Sequence, residues 1–506
     1  MVDADDYLLY RRCPRSLHRK LTGQHLPTLY ASDESFPFQS DRAHVVRLAR
    51  RLFPDGVAAG ALSVNDGHDR EASPEHGSPV KARVLFDACC GLEPLVACAD
   101  IYLPQKPEGM AAVLVRESTS IKKAALIEAA FLLWCFRRCD VEPAKIYLYH
   151  LEKSYERHGP LDLESLFAVR DITTRARKSL EQEEARIEEF AALLDADPTL
   201  ERFKDEPCRR AAGCPVCRDD VEPAAHDDLS TLFRAGHLAT ELRAEGYQSI
   251  VDVPEQRLVK PIHRIQRKTL LERGAHVDRD AIDLFLARLE YPLCYLDFEA
   301  TSAAIPPMDG VSPWEHVPYL YSLHIEREPG AEPEHTAFVM EPGSDQRREM
   351  ARSLVTALGE TGSLVVFGAG FESGVLARLA ASVPEYAPEL QEATARMVDL
   401  LYPFSGFAFY HHMQRGKVSL KTVLPLLTES DYSDEDVQDG YTANVAYRHL
   451  TERATADGGL ADDERARADE VLEQLVSYCT MDTLAMVQII ARLRALSGGA
   501  TPRKAP

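Results

Sequence analysis

The stretch Tyr291-Pro-Leu-Cys-Tyr-Leu-Asp-Phe-Glu-Ala-Thr301 decides how the chain is read. Leu293 to Leu296 is the apolar run of a short buried strand, and two carboxylates one residue apart follow it. Alternate side chains of a strand share a face, so Asp297 and Glu299 are expected to point the same way. Two like charges beside an apolar core are costly unless a cation lies between them. A divalent metal ion answers that need, and phosphoryl-transfer nucleases use such pairs. The same residues also describe a strand that ends in a solvated acidic turn. The rest of the chain has to supply further ligands before the metal reading wins.

Composition sets the outer bounds. With 506 residues, 45% hydrophobic and 27% charged, the chain suits a globular protein of roughly two to four domains. The formal net charge of −22, from 58 Lys and Arg against 80 Asp and Glu, argues against a broad basic surface that coats duplex nucleic acid. A nuclease is still compatible, since a substrate channel needs only a local basic lining. The acidic start, Met1 to Asp6, and the lack of any apolar run of about eighteen residues predict neither a secretion signal nor a membrane anchor. The expected location is the cytoplasm. Eleven unevenly spaced cysteines make a disulfide framework a poor reading and metal or cluster ligation a better one for any close group.

Taken in order, residues 1–50 read as polar helix and 55–80 as loop. Strand-like runs at Ala82–Cys90, Leu95–Tyr102 and Ala111–Val115 precede a helix over 122–139 and a strand at Lys145–Leu151. That succession is an α/β module. A long charged helix over 172–194 leads to Cys208, Cys214 and Cys217, with Gly and Pro between them for tight turns. Cys13, also followed by Pro, is the best fourth ligand, and spacing alone does not separate zinc from iron–sulfur. Cys89, Cys90, Cys98, Cys135, Cys139, Cys294 and Cys479 lie mostly in apolar runs and are expected to be core thiols.

Residues 221–285 read as a helical connector whose basic run, His263 to Lys268, is a solvated face with phosphate contact as the second reading. From about 286 a second α/β module begins, with strands near 319–325, 335–340 and 363–367. Glu372 falls at a strand-to-helix junction, Asp399 looks buried, an acidic loop surrounds 433–436, and residues 499–506 form a frayed tail. The last helix carries Tyr478 and Asp482, four apart and so on one face. Asp297, Glu299, Glu372 and Asp482 together make the ligand set that two metals about 3.5–4 Å apart require.

In this order the motifs resemble those of DEDD-type 3′–5′ exonucleases of the RNase H-like fold, tyrosine subclass, over residues 286–498. More narrowly, Tyr295-Leu-Asp-Phe-Glu299, Pro318 to Ile325, Phe371-Glu372, Gly416 to Pro425 and Tyr478 to Thr483 are similar to an uncharacterised bacterial family, a domain of unknown function. That family joins such a domain to a RecB-like nuclease module. The resemblance implies two Mg²⁺ or Mn²⁺ ions, with Asp297 bridging both and Glu299 and Asp482 on the ion that activates water. Glu372 would hold the other ion and Tyr478 would position the nucleophile. Single-stranded DNA or RNA is the implied partner, with Ser419 and Lys421 as phosphate contacts, although Ser419 equally suits capping of the next helix. Two departures stand out: the middle carboxylate is Glu rather than Asp, and Gly368 stands where relatives often place Asn.

Residues 1–220 resemble RecB-like PD-(D/E)xK nucleases that carry a 4Fe–4S cluster on one cysteine before and three after the nuclease core. Cys13, Cys208, Cys214 and Cys217 match that pattern, which favours the cluster over zinc by analogy. The catalytic pattern is broken. Asp100 matches the first metal-binding Asp, but Leu114 and Arg116 replace the acid and lysine expected on the next strand, and Leu132 replaces a helix glutamine. Leu binds no metal and Arg does not act as Lys does, so this module is expected to be catalytically inactive. A non-catalytic nucleic-acid-binding or scaffold protein with two degenerate nuclease folds is the rival reading of the whole chain.

Overall fold

A computed structural model describes residues 1–24, 41–59, 83–104, 109–206, 208, 214, 216–217, 225–430, 440–455 and 462–498. The acidic loop at 433–436, the tail at 499–506 and most of the loop at 55–80 lie outside them. The protein is of mixed α/β class, and it divides into two compact units, one of residues 1–222 with 303–315 and one of 223–302 with 316–506. The expected connector, 221–285, thus falls almost wholly within the second unit, and the expected C-terminal module lends 303–315 to the first.

The first unit is built on six strands: β1 Val57–Ala58, β2 Leu85–Leu92, β3 Leu95–Pro104, β4 Met110–Arg116, β5 Lys145–Leu151 and β6 Phe167–Asp171, neighbours in that order. β4 and β5 run parallel, so the chain must cross over between them, and the Lys123–Arg138 helix does this. A parallel pair is covered on both faces. Ala111 to Arg116 are accordingly all buried, with Leu114 packed towards Phe131, Leu132, Ile187 and Phe190. Val113 and Val115 pack the other way, where Ala304 joins the core. The 303–315 segment is also pinned by the Trp314 indole N–H, which donates to the Glu117 carbonyl at 2.6 Å. The Arg157 guanidinium binds the Pro306 carbonyl at 3.0 Å.

Two cysteines depart from expectation. Cys89 and Cys98 lie opposite each other across β2 and β3 and are disulfide-bonded. Strand alternation turns Cys90 and Ala97 into the core and so turns this pair outward. The core-thiol reading holds for Cys90, Cys135, Cys139, Cys294 and Cys479, all buried.

In the second unit a hairpin-like pair joins β7 Ala275–Val277 to β13 Phe409–His411. The main sheet comprises β8 Leu293–Thr301, β9 Val317–Glu326, β10 Glu334–Val339, β11 Ser363–Val366 and β12 Met397–Asp399. Its order is β10-β9-β8-β11-β12. β8 sits centrally, antiparallel to β9 and parallel to β11. The 36-residue helix Asp462–Ser497 supplies Leu475, Tyr478 and Cys479 to one core cluster and Met486, Ile489 and Leu493 to another. Its far end is fixed by Arg494, whose guanidinium lies 3.1 Å from Glu326. Tyr295 and Tyr291 donate to the same carboxylate at 2.9 and 3.2 Å.

Truncation of Glu326 leaves the mostly buried Arg494 without its counter-charge. Glu326→Ala is expected to cost about 3 kcal/mol, read as a lower denaturant midpoint in chemical unfolding. An unchanged midpoint would show that this pair does not hold the helix.

Candidate metal centres

β8 runs further than expected: the strand continues through both carboxylates to Thr301. The difference has a physical reason. The parallel partner β11 pairs only with Leu293 to Tyr295, whereas β9 stays in register with Asp297, opposite Ser322, and Glu299, opposite Leu320. Asp297 and Glu299 therefore project from the part of β8 beyond its parallel neighbour. Ligands of open α/β sheets gather at the carboxyl ends of parallel strands, and β11 and β12 end there too. Glu372 follows β11 in the first turn of the Gly370–Ser382 helix, and Asp399 closes β12.

Carboxylate oxygens of Asp297, Glu299 and Asp482 lie within 4.8 Å of one another. Glu372 is not a member of that group, but its charge is among those felt by Asp297. Burial first, then repulsion from Asp482, Glu299 and Glu372, holds the Asp297 carboxyl well above the usual carboxylate range. One Glu372 oxygen, Oε2, is buried without a hydrogen-bond partner among the described residues, and burial pushes this carboxyl up to about 7. An orphaned acidic oxygen and a crowded acidic triad are what a divalent cation would relieve. The residues present fit such an ion.

Tyr478 donates to Asp482 one turn along the final helix, and burial followed by the charges of Asp482, Glu299 and Asp297 raises its phenol. The Lys421 Nζ lies 4.8 Å from the Tyr478 ring centre. Ser419 takes the N-cap position of the Leu420–Leu427 helix without a side-chain cap bond; its hydroxyl meets Thr422 at 2.8 Å. Asp399 does not join the triad. Its carboxylate accepts the backbone N–H of Gly368 and Ala369 at 2.9 and 3.1 Å, which sets the turn that presents Glu372. Gly368 has φ +101°, a conformation that an Asn side chain would enter only with strain. The local backbone thus accounts for glycine here.

Two supports were not read from the sequence. The Cys479 thiol donates to Asp297 Oδ2 at 3.2 Å, so it touches the acidic group rather than merely filling the core. Thr483, next to Asp482, meets Ser322 and His324, each at 2.8 Å, and Ser322 also meets His335 at 3.0 Å. These contacts fix the helix register over β8 and β9. The available signal was the polar Ser322 and His324 amid the mostly apolar residues Tyr319 to Ile325.

In the first unit, one sulfur each from Cys13, Cys208, Cys214 and Cys217 lies within 4.8 Å of the others, with Cys13 and Cys217 at 3.5 Å. Cys13 is placed by the break between two helices, as C-cap of Ala4–Arg12 and N-cap of Pro14–Leu21. The Cys208 N–H points at the Cys217 sulfur at 3.4 Å. Burial raises the Cys214 thiol, but the N–H groups of Val216 and Cys217, with hydrogen bonds from Cys13 and Cys208, together draw it below its ordinary value, while burial and Cys13 push the Cys217 thiol up to about 12. Donors aimed at sulfur favour thiolate, the ligating form.

Asp100 has a different fate. Its Oδ2 accepts from Arg116 Nη1 at 2.8 Å and from the Val115 N–H at 2.7 Å. Arg116 also donates from Nε to Glu128 at 2.7 Å, while Leu114 and Leu132 are buried. A guanidinium, not a vacancy, lies between the two acids.

The fold and these two ligand groups define an α/β protein with a four-thiol site and a carboxylate site. Residues 294–419 match the family described as a domain of unknown function, DUF2779. The matched region contains Asp297, Glu299, Glu372 and Asp399 and stops short of Tyr478 and Asp482. No curated protein and no solved structure matches the chain.

The raised Glu372 carboxyl has a sign that can be measured. Between the ordinary value of 4.5 and about 7 the folded chain holds this proton and the unfolded chain does not. Stability in chelator therefore falls as pH rises through that window, and the penalty is complete above it. Melting curves in chelator are expected to lose more between pH 4.5 and 7 for the native chain than for Glu372→Gln. Parallel curves would contradict the burial of an ionisable group there.

Proposed function

We propose that this protein is a metal-dependent nuclease, a 3′–5′ exonuclease that hydrolyses phosphodiester bonds of single-stranded DNA or RNA in its second unit. The observation that carries the reading is the convergence of Asp297, Glu299 and Asp482 within 4.8 Å, from a strand and a helix far apart in sequence. The mixed sheet with flanking helices supports the RNase H-like resemblance, as does the order of the acidic residues.

Asp297, at the centre of the acidic group, would bridge two ions; Glu299 and Asp482 would complete one and Glu372 the other. Bound divalent cations supply charge for the attacking and leaving oxygens and lower the pKa of water. The chain's own residues do the rest. Tyr478, anchored on Asp482, presents its phenol to orient the attacking water, and Lys421 beside it offers a positive charge to the scissile phosphate. The first unit has no part in this chemistry, because Asp100 is already neutralised by Arg116.

The rival reading, a non-catalytic nucleic-acid-binding or scaffold protein, draws on the broken pattern of the first unit, where Arg116 binds both Asp100 and Glu128, and on Glu372 lying outside the triad. Release of nucleotides from a 3′-labelled single strand in manganese separates the two. Loss of a ligand that provides several kcal/mol of charge stabilisation should cut the rate of Asp297→Ala at least about a hundred-fold. Equal release by native protein and variant would end the enzyme reading.

For the cysteines, resemblance implies a 4Fe–4S cluster, but the spacing supports a single ion. Zn–S bonds of 2.3 Å in a tetrahedron place sulfurs about 3.8 Å apart, whereas cubane ligands attach to four separate irons. The sulfurs here, at 3.5 Å for one pair and within 4.8 Å for all, are compact. Anaerobically prepared protein is expected to carry about one zinc per chain. A broad absorbance near 400 nm with about four irons would restore the cluster.

A further inference from the structure

The second unit contains a reversal of charge that the carboxylate site does not use. In a chain of net charge −22, residues 259–276 hold Lys260, Arg264, Arg267, Lys268 and Arg273 against a single acid, Glu272. Residues 409–421 hold Arg415, Lys417 and Lys421 and no acid at all. More than 130 residues separate the two stretches, yet the fold joins them. β7 and β13 pair so that Tyr410 faces His276 and His411 faces Ala275, and the His412 N–H reaches the Gly274 carbonyl at 3.2 Å.

The junction is rigid. Phe407 stacks on Tyr410 with ring centres 4.1 Å apart, and Phe233 leans on Phe407 at 5.1 Å. The Tyr410 hydroxyl accepts the Gly416 N–H at 2.9 Å. Gly416 has φ +69°, and a Cβ there would meet the Thr231 carbonyl oxygen at 2.0 Å, so only glycine fits the approach. The Pro261–Glu272 helix is tied to the same segment from within. Its buried His263 and Gln266 bind the backbone of Phe233 and Thr231 at 2.9 and 2.7 Å. Residues expected to form a solvated face are thus half anchor, and the anchored positions fix where the outward cations stand.

Lys260, Arg264, Lys268, Arg273 and Lys417 are exposed. Arg264, Arg273 and Lys417 make no ion pair among the described residues, and Lys268 has only a solvated partner, Glu272, at 3.9 Å, a contact worth little. In a fold with a surplus of acids, Arg264, Arg273 and Lys417 stand exposed together without an ion pair among the described residues. One end of the patch is marked by Lys421, whose ammonium lies over the Tyr478 ring, beside the acidic triad.

We propose that this patch is a track for the phosphates of a single-stranded nucleic acid whose terminal nucleotide lies at the carboxylates. The proposal rests on the nuclease reading and extends it, by assigning a substrate path to a segment that lies before the matched family region. A backbone with one charge per nucleotide suits a narrow file of cations. A duplex would need the broad basic surface that the overall charge denies. Contacts made to phosphate, not to bases, predict tolerance of sequence and steep dependence on salt.

The test uses the full chain and labelled 5-mer and 20-mer homopolymers, DNA and RNA, in chelator so that nothing is cut. Fluorescence anisotropy should show the 20-mer binding more tightly than the 5-mer. Joint replacement Arg264→Gln, Lys268→Gln and Arg273→Gln should weaken the 20-mer at least ten-fold and leave the 5-mer nearly unchanged. With a single-strand slope of about −0.7 per phosphate contact, the salt dependence should fall by about 2. A glutamate version should weaken it further, and the melting temperature of each variant checks that it is folded. Unchanged 20-mer affinity in folded variants overturns the track. So does equal weakening of both lengths, which would place these cations at the terminal nucleotide. Preference for anionic lipid vesicles over the 20-mer would overturn it as well. Failure of the nuclease reading shows separately: Asp297→Ala would release nucleotides as the native chain does, whatever the binding result.

Discussion

Everything in the second unit turns on the repulsion between carboxylates at the end of β8. Asp297 is half-buried and surrounded by Asp482, Glu299 and, further out, Glu372, so its proton is held far above the usual range. A protein gains nothing in stability from burying acids side by side. A divalent cation held among these acids, as the proposed nuclease reading requires, would turn that repulsion into attraction. The surrounding structure keeps the acids in place: Asp399 fixes the Glu372 turn, Thr483 locks the helix against Ser322 and His324, and Glu326 with Arg494 holds its far end.

The first unit makes the opposite choice. Asp100 and Glu128 also meet on a sheet-and-helix frame, but Arg116 stands between them. An internal guanidinium satisfies both carboxylates without any ion from solution. Acidic groups at a sheet and a helix thus stand in two settings: bridged by an internal guanidinium in the first unit and, in the second, gathered as a cluster that could hold a metal ion.

Much of this was legible in the sequence. Strand alternation put Asp297 and Glu299 on one face, and helical spacing put Tyr478 with Asp482. The cysteine spacing, with Pro after Cys13, found all four thiols. What was hidden has a common cause: it depended on register between distant segments. The Cys89–Cys98 bond follows from the offset of β2 on β3. The length of β8 follows from where β11 stops. The departure of 303–315 into the first unit, and the meeting of the two basic stretches, have no local signal, because neither segment differs from an ordinary loop or solvated helix until its partner is known.

The most direct test of the account is a crystal structure of the protein grown with manganese and recorded at a wavelength where manganese scatters anomalously. The account predicts two anomalous peaks about 3.5–4 Å apart, bridged by Asp297, with Glu299 and Asp482 on one and Glu372 on the side of the other. A map with no peak among these four carboxylates, in crystals that carry manganese, would contradict it.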